Sequence, residues 1–423
     1  MKLPPRPVLA WALYDWANSA FALSVITAFV PVMLGGYWND GSASTVTTFR
    51  LGVANALASA AVVVLAPLLG AVTDQRGGRK PWLLGLTVLG ALATAALALP
   101  GSGAWWPALL LFGVASVAFF ASNSLYDALL VDVAGPAEYD RVSSLGYALG
   151  YLGGALLFAV NVLMLAAPAR FGLGDATAAI QVSFVLVALW WVGFSVPLAR
   201  HVRERAAAAP AAAISGYRQL LATIRSLARQ RNLLLFLAAY WLYIDGVYTI
   251  IKMAVDYGLS QGLSAQDVTA AILLTNFLGF PAAIGFGRLG ERIGTRAAIY
   301  VALAVYIAAT AWSVTLTTAA EFYALAAAIG CVQGGVQSLS RSLYARLVPV
   351  EQSGEYFGFY NLLGKFSSVL GPALAGTAAL VAGSQRYGIL SILVLFVAGL
   401  MLLTRVRVPP APDRRVRQGP TGR

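Results

Sequence analysis

A single cysteine, Cys331, and a single histidine, His201, occur in 423 residues. One thiol excludes a disulfide framework and thiolate metal clusters, and one imidazole excludes zinc-protease motifs. No Ser-His or Cys-His catalytic set can be assembled beyond lone His201, which falls between apolar runs. Charge is scarce too: Asp, Glu, Lys and Arg make up 11% of the chain, against roughly 25% in soluble domains. Water is therefore not the main solvent of this chain. Strands of about ten alternating residues with a polar inner face are missing, which argues against a β-barrel. No P-loop is present, so ATP drive would need a partner. Lysine is confined to Lys2, Lys80, Lys252 and Lys365. The arginine excess and the alanine richness fit a GC-rich prokaryotic genome, and hence a cell inner membrane.

What the chain has is hydrophobic length. It is 59% apolar, with a mean hydropathy of +0.75. Twelve apolar runs can be read, at 10–36, 51–72, 81–99, 106–131, 140–166, 178–200, 232–258, 266–287, 296–315, 321–346, 355–382 and 385–405. Each is close to the ~20 residues a helix needs to cross the hydrocarbon core. The first is too long for the apolar part of a cleaved leader and is read as a span. The expected fold is an all-α integral membrane protein of twelve transmembrane helices. An even number of spans puts both termini on one side. If that side is cytoplasmic, 24 of the 29 Lys and Arg lie at inner tails, loops and span ends, and only Arg50, Arg170 and Arg386 lie outside. This is the positive-inside asymmetry. It accounts for the net charge of +12 without nucleic acid.

The longest loop divides the chain into an N-terminal bundle at 1–200, a linker at 201–231 and a C-terminal bundle at 232–405, with a disordered basic tail at 406–423. In the linker, Tyr217, Leu220, Leu221, Ile224 and Leu227 recur at helical spacing among Arg218, Arg225 and Arg229. That pattern suits a helix lying on an anionic membrane surface; a solvated connector helix fits it equally.

The two halves echo each other. "GAVTDQRGGRK" from Gly70 matches "GRLGERIGTR" from Gly287, so that Asp74, Gly77 and Arg79 correspond to Glu291, Gly294 and Arg296. "SLYDALL" at Ser124 matches "SLYARLV" at Ser342; "EY" at Glu138 matches "EY" at Glu355; "LGGAL" at Leu152 matches "LGPAL" at Leu370. These matches run in order at offsets of 217–218. Trp11-x3-Asp15 also faces Trp241-x3-Asp245. A six-span unit duplicated in parallel is the plan of a two-bundle transporter with its site between the halves.

The Gly70 motif, with Asp74, Arg76, Gly77, Arg79 and Lys80, resembles the loop between spans 2 and 3 of the major facilitator superfamily; Gln75 stands where that pattern is usually basic. The second copy contributes Glu291, Arg292 and Arg296. Such a carboxylate can meet a helix N-terminus and a basic residue, clamping one face shut; a basic turn that only sets topology is the plainer alternative. Within the superfamily, "YDWANSAF" from Tyr14, "SLGYALGYLGG" from Ser144 and the region "SLSRSLY" to "EYFGFYNLLGKF" resemble the vacuole-effluxer-like family. Its eukaryotic members release amino acids from the vacuole, and the resemblance implies a small solute without fixing direction. Gly146, Gly150, Gly153 and Gly154 loosely resemble an exporter signature but lack its proline; close helix packing explains them as well. "GFGRLG" at Gly285 follows an apolar span with no βαβ unit, so it is no dinucleotide site.

Polar groups inside spans are costly and mark cavities or partners. They are Asp15 and Asn18 in span 1, Asn123 and Asp127 in span 4, Asp245, Thr249, Lys252 and Asp256 in span 7, Gln333, Gln337 and Arg341 in span 10, and Asn361 and Lys365 in span 11. The resemblance implies that spans 1, 4, 7 and 10 line a central cavity. Asp15, Asp127 and Arg341 lie toward the inner ends and are candidates for a gate across the halves. Asp245 and Lys252 lie two turns apart, and moving a cation relative to a buried carboxylate changes its proton affinity; a static ion pair is the alternative. Tyr14, Trp16, Tyr240, Trp241, Tyr243 and Tyr248 could shape an amine site or simply pack. The expectation is a secondary transporter of a small polar solute, with amino acids as one class, coupled to protons. It would be monomeric, with membrane lipids around it and no metal or cofactor. A non-transporting receptor or assembly protein on the same fold is the alternative.

Overall fold

The computed structural model describes residues 4–205, 225–227, 229–366 and 370–408, with the side chains of 365 and 366 excepted. Most of the linker helix, most of the basic tail and the side chain of Lys365 lie outside the described residues. Among the described residues every regular element is helical.

Ten helices are long and apolar enough to cross a membrane. They are α1 (Arg6–Gly35), α2 (Ser44–Arg76), α4 (Trp105–Val133), α5 (Tyr139–Ala166), α6 (Ala176–His201), α7 (Arg231–Ser260), α8 (Ala265–Ile293), α9 (Thr295–Ser313), α10 (Ala319–Leu347) and α12 (Gln385–Thr404). The two other expected spans appear as α3 (Arg79–Ala96) and as a pair of shorter helices, α11a (Ser353–Phe366) and α11b (Leu370–Ala382). Large apolar side chains stay exposed around the outside, for example Leu57 and Phe49 on α2, Leu92 on α3 and Leu380 and Val381 on α11b. That surface suits hydrocarbon and not water.

Within α1, residues Phe21–Phe29 form a π-helical stretch. Pro31 follows it, and a proline ring clashes with the carbonyl four residues back. Wider turns take up that clash.

The core of the N-terminal half packs α1 against α5 and α6, and α3 against α4. The C-terminal half packs α8 and α9 against α10, and α7 against α12. The halves meet most extensively through α2 with α11a and α5 with α8, and also through α5 with α10 and α4 with α11a. The six-helix repeat relates the first of these pairs to the second. Small residues permit both contacts. A Cβ on Gly70 would strike the backbone of Gly354 and Glu355 in α11a, and a Cβ on Gly287 would come within 2.8 Å of the Ser144 side chain in α5.

The two ends of the molecule treat helix termini differently. At the end where α2 finishes and α3 begins, here the clamp end, helices lack caps of their own and borrow them. Glu204 accepts the backbone N–H of Arg79 and Lys80 at 2.8 and 2.7 Å, capping α3 from the end of α6. At the opposite end, Asp175, Ser264, Thr318 and Ser384 cap their own helices. A local cap stabilises one helix by ~1 kcal/mol. A borrowed cap makes the helix start depend on tertiary contact.

Candidate functional site

Three polar layers stack along the axis between the halves. The first lies toward the clamp end and centres on Arg341 of α10. The guanidinium is buried, with 1% of the residue exposed. Its Nη1 donates to Asp127 Oδ1 of α4 at 2.8 Å. Both terminal nitrogens reach Asp15 Oδ2 of α1, at 3.3 and 3.4 Å. Nε donates to Ser143 Oγ and Nη2 to the Ser143 carbonyl of α5, each at 2.9 Å. The cation also sits over the rings of Tyr147 at 4.3 Å and Trp11 at 4.9 Å. Around it, Tyr126 Oη donates to Asp15 Oδ2 at 2.8 Å, and Asn361 Nδ2 of α11a donates to Asp127 Oδ2 at 2.9 Å.

An arginine so deep is tolerable only because five donors find acceptors in a fixed planar fork. Removing one partner of such a buried pair costs about 3–5 kcal/mol, because the other charge is left without compensation. Gly146 makes the cluster possible: a Cβ there would lie 2.6 Å from Asp15 Oδ2 and 3.0 Å from Arg341 Nη2. Gly150 and Gly153 likewise accept Ser19 and Trp16 of α1 at close range. The glycine pattern of α5 thus serves the packing of α5 on α1 in this structure.

The second layer lies one helical turn further from the clamp end. Asn18 Nδ2 donates to Asn123 Oδ1 at 2.8 Å. Tyr151 Oη donates to Gln337 Oε1 at 2.5 Å, joining α5 to α10. The third layer holds Gln333 and Lys252. Gln333 Oε1 is buried without a partner, and Lys252 is exposed and makes no hydrogen bond or ion pair with a described residue.

Asp245 and Lys252 act on each other electrostatically without touching. Its Oδ1 accepts the backbone N–H of Gly371 at 2.8 Å, its Oδ2 that of Leu370 at 3.1 Å, and Thr249 Oγ1 donates to Oδ1 at 3.2 Å. The expected approach of Lys252 to Asp245 does not form an ion pair, because the carboxylate is already occupied by the first turn of α11b. Asp256 is exposed.

At the clamp end, Asp74 Oδ1 and Oδ2 accept the backbone N–H groups of Gly354 and Glu355 at 3.0 and 2.8 Å. Those N–H groups belong to the first turn of α11a. Arg79 Nη2 pairs with Asp74 at 2.5 Å and Nη1 with Asp132 at 3.2 Å. Gly77 and Gly78 adopt φ of 71° and 88°, which turns the chain sharply enough to bring Arg79 back onto Asp74. Lys80 Nζ donates to the carbonyls of Ala199 and Val202 on and beyond α6. Arg76 is exposed. In the second copy, Glu291 and Arg292 are exposed, and Arg296 donates to the Val406 carbonyl. The acid facing this copy comes from α5 instead. Asp140 accepts from Thr295 Oγ1 at 2.8 Å, from Arg346 Nη1 at 2.8 Å and from Ser342 Oγ.

Sequence reasoning missed Tyr126, Ser143, Tyr147, Asp132, Asp140, Arg346 and Tyr151. Asp140 carried a signal: it directly follows the repeated "EY" and opens an apolar run, where an acid needs a partner.

This arrangement fits what comparison with known proteins finds. A family model described as "Vacuole effluxer Atg22 like" matches residues 134–412. An uncharacterized MFS-type transporter of Bacillus subtilis, YxiO, is 35% identical over 96% of this chain and 95% of its own length. Autophagy-related protein 22-2 of Emericella nidulans is 27% identical over 62% of this chain and 50% of that protein. Among solved structures, FucP in the outward conformation aligns with a TM-score of 0.74 at 10% identity, covering 96% of this chain and all of that one. The human organic anion transporter MFSD10 aligns with a TM-score of 0.71 at 18% identity, covering 95% and 100%. Both structural likenesses speak to the fold alone. The chain belongs to the vacuole effluxer Atg22-like family and, with the major facilitator fold, is a transporter of that superfamily and not an enzyme.

Proposed function

We propose that the chain is a secondary active transporter that moves a small polar solute, with amino acids as the leading class, by alternating access coupled to protons. The observation that carries this reading is Arg341, which binds Asp15, Asp127 and Ser143 across the two halves near one end only. Bundles at 1–200 and 232–405 would rock about the axis, and opening the clamp end would require these bonds to part. The cluster sets one guanidinium against two carboxylates. Asp127 takes the shorter ion pair and the Asn361 amide, whereas Asp15 takes the longer one. Asp15 is therefore the group assigned to the coupled proton: protonating it would loosen its hold on Arg341 and favour opening.

The test is solute flux in proteoliposomes. Asp15→Asn is expected to abolish accumulation driven by a pH gradient while leaving solute exchange, which needs no net proton movement. Asp245→Asn is expected to keep gradient-driven accumulation, since Asp245 serves backbone N–H groups. The reverse pattern would move the proton to Asp245. Absence of flux for every solute would favour a receptor or assembly protein.

The orientation we propose has both termini cytoplasmic in a bacterial plasma membrane, on the strength of the arginine asymmetry. Single cysteines at Ser44 and Arg203, in a Cys331→Ser background, would then label from opposite sides, Ser44 from outside.

A further inference from the structure

Arg346 closes the second clamp with one nitrogen only. Its Nη1 donates to Asp140 Oδ1, Thr295 Oγ1 and Ser342 Oγ, at 2.8, 2.7 and 2.9 Å. Nε and Nη2 make no hydrogen bond with a described residue, although the side chain is only 8% exposed. These two nitrogens form the second edge of the guanidinium fork, the edge that grips an anion side-on. Arg346 also lines an open cavity of about 360 Å³ at the clamp end. Arg346 and Leu347 at the end of α10 form one wall, and Gln230, Arg231, Asn232 and Leu233 at the start of α7 form the other.

The lining holds two arginines and no acid. Arg231 is exposed, and its guanidinium has no partner among the described residues. Asp140 is already occupied by Thr295, Ser342 and Arg346. Gln230 supplies no side-chain cap to α7, because its amide is bonded to Tyr356 Oη at 2.9 Å. The first-turn N–H groups of α7 can therefore add to the arginines as donors. Asn232 exchanges two bonds with the backbone of Arg407, at 2.8 and 2.7 Å, which fixes the wall against the end of α12. An inner-side excess of arginine asks only for charge at the surface. It does not account for the open edge of a buried guanidinium in the wall of a cavity.

We propose that this cavity is an anion site for a phosphate group, and that its occupation favours opening of the clamp end. Arg346 Nε and Nη2 take two oxygens, and Arg231 takes a third from the opposite wall. Donors on two walls suit a tetrahedral anion better than a planar carboxylate. The cavity exceeds a bare phosphate in size and leaves room for the rest of a phosphate ester, whether dissolved or the headgroup of a lipid. The coupling follows from linkage. Asp140 belongs to α5 in one half and Arg346 to α10 in the other. Opening the clamp end carries Asp140 away and leaves a buried arginine without its counter-ion. Phosphate at the second edge binds that state more tightly and by reciprocity raises its population. The coupling rests on the reading that the clamp end opens during transport; the site itself does not.

The experiment uses the full chain in a Cys331→Ser background, with spin labels on cysteines placed at His201 and Arg405 to measure the separation of the halves at the clamp end. Inorganic phosphate is the soluble probe, and chloride at equal ionic strength is its control. Phosphatidylcholine vesicles with and without phosphatidic acid are the lipid probe. Phosphate binding is read by calorimetry in detergent. Phosphate is expected to bind and to shift the distances to longer values, and chloride to do neither. Arg231→Gln leaves the Asp140 pair untouched and is expected to weaken phosphate ~10-fold or more and to abolish the shift. Arg346→Lys keeps a cation for Asp140 but has no second edge, and should lose phosphate binding as well. A response to phosphatidic acid alone assigns the site to a lipid headgroup, and a response to phosphate alone to a dissolved ester; either keeps the site. No response to either probe, equal effects of chloride and phosphate, or unchanged binding in Arg231→Gln overturns it. Binding that depends on Arg231 at unchanged distances overturns the coupling. Solute flux in proteoliposomes separates this inference from the transporter reading. Flux that persists in Arg231→Gln but no longer answers to phosphate supports both. Phosphate binding that depends on Arg231, without flux of any solute, keeps the site and overturns the transporter.

Discussion

The two matching clamp motifs hold their halves by different chemistry. In the first copy the acid belongs to the motif: Asp74 reaches across to the first turn of α11a, and Arg79 ties it to Asp132. In the second copy the motif acid, Glu291, is exposed, and the closing acid is Asp140 of the opposite half. The first device is a cap on backbone N–H groups, which asks for no particular side chain in α11a beyond a glycine at 354, where a Cβ would lie 2.6 Å from Asp74 Oδ1. The second is an ion pair with hydroxyl support, which requires Arg346, Thr295 and Ser342 in place. The helix pairs α2–α11a and α5–α8 correspond to each other, and Gly70 and Gly287 keep both contacts close. They differ in which side of the contact supplies the charge.

Substitutions can break this comparison, and the largest effect is expected at the second copy. Asp140→Ala leaves buried Arg346 without its counter-ion and should destabilise the clamp-closed state by about 3–5 kcal/mol, read as a fall in thermal stability and faster clamp-end thiol labelling. Asp74→Asn comes next, at about 1–3 kcal/mol, because Arg79 keeps Asp132 while the α11a N–H groups lose a charged acceptor. Glu291→Gln should cost the least of these three, about 1 kcal/mol or less, because the exposed side chain is screened by solvent. If Glu291→Gln proved as damaging as Asp74→Asn, the two copies would be functionally equivalent after all.

The smallest effect is expected at the opposite end. The Arg50 guanidinium, hydrogen-bonded to Asp40, holds that exposed carboxyl below the usual carboxylate range. A depressed value means stability that is present above the ordinary aspartate value near ~3.9 and lost as pH falls below it. Lowering pH from 8 to 5 should therefore leave this contact intact, and Asp40→Asn should barely move the melting temperature.

The architecture was legible because length and apolarity are additive properties of a span. The runs at 81–99 and 355–382 were harder: α3 begins on Arg79 and Lys80, and helix 11 is described as two shorter pieces. The polar list from spans 1, 4, 10 and 11 contained Asp15, Asp127, Arg341 and Asn361 of the Arg341 cluster, since charge within a span is costly enough to mark itself, but not Ser143 of α5. Tyr126 and Tyr147 escaped notice because an aromatic is unremarkable in an apolar run; only geometry distinguishes a ring beneath a guanidinium from one in the core. Asp245 was legible as a group that needs a partner but not as a cap, because its partners are backbone N–H groups, and these carry no residue identity. Lys252 was read as the partner of Asp245 from spacing alone, and α11b occupies the place that spacing offered.

The central claim is that bonds at the clamp end hold the two halves together and must part for transport. Spin labels on cysteines placed at His201 and Arg405, exposed ends of α6 and α12, in a Cys331→Ser background, measure the separation of the halves at that end by electron–electron resonance. The account predicts one dominant short distance in the parent and a shift of population to longer distances in Arg341→Gln, with the same shift in smaller proportion in Asp74→Asn. Unchanged distance distributions in both variants would contradict it.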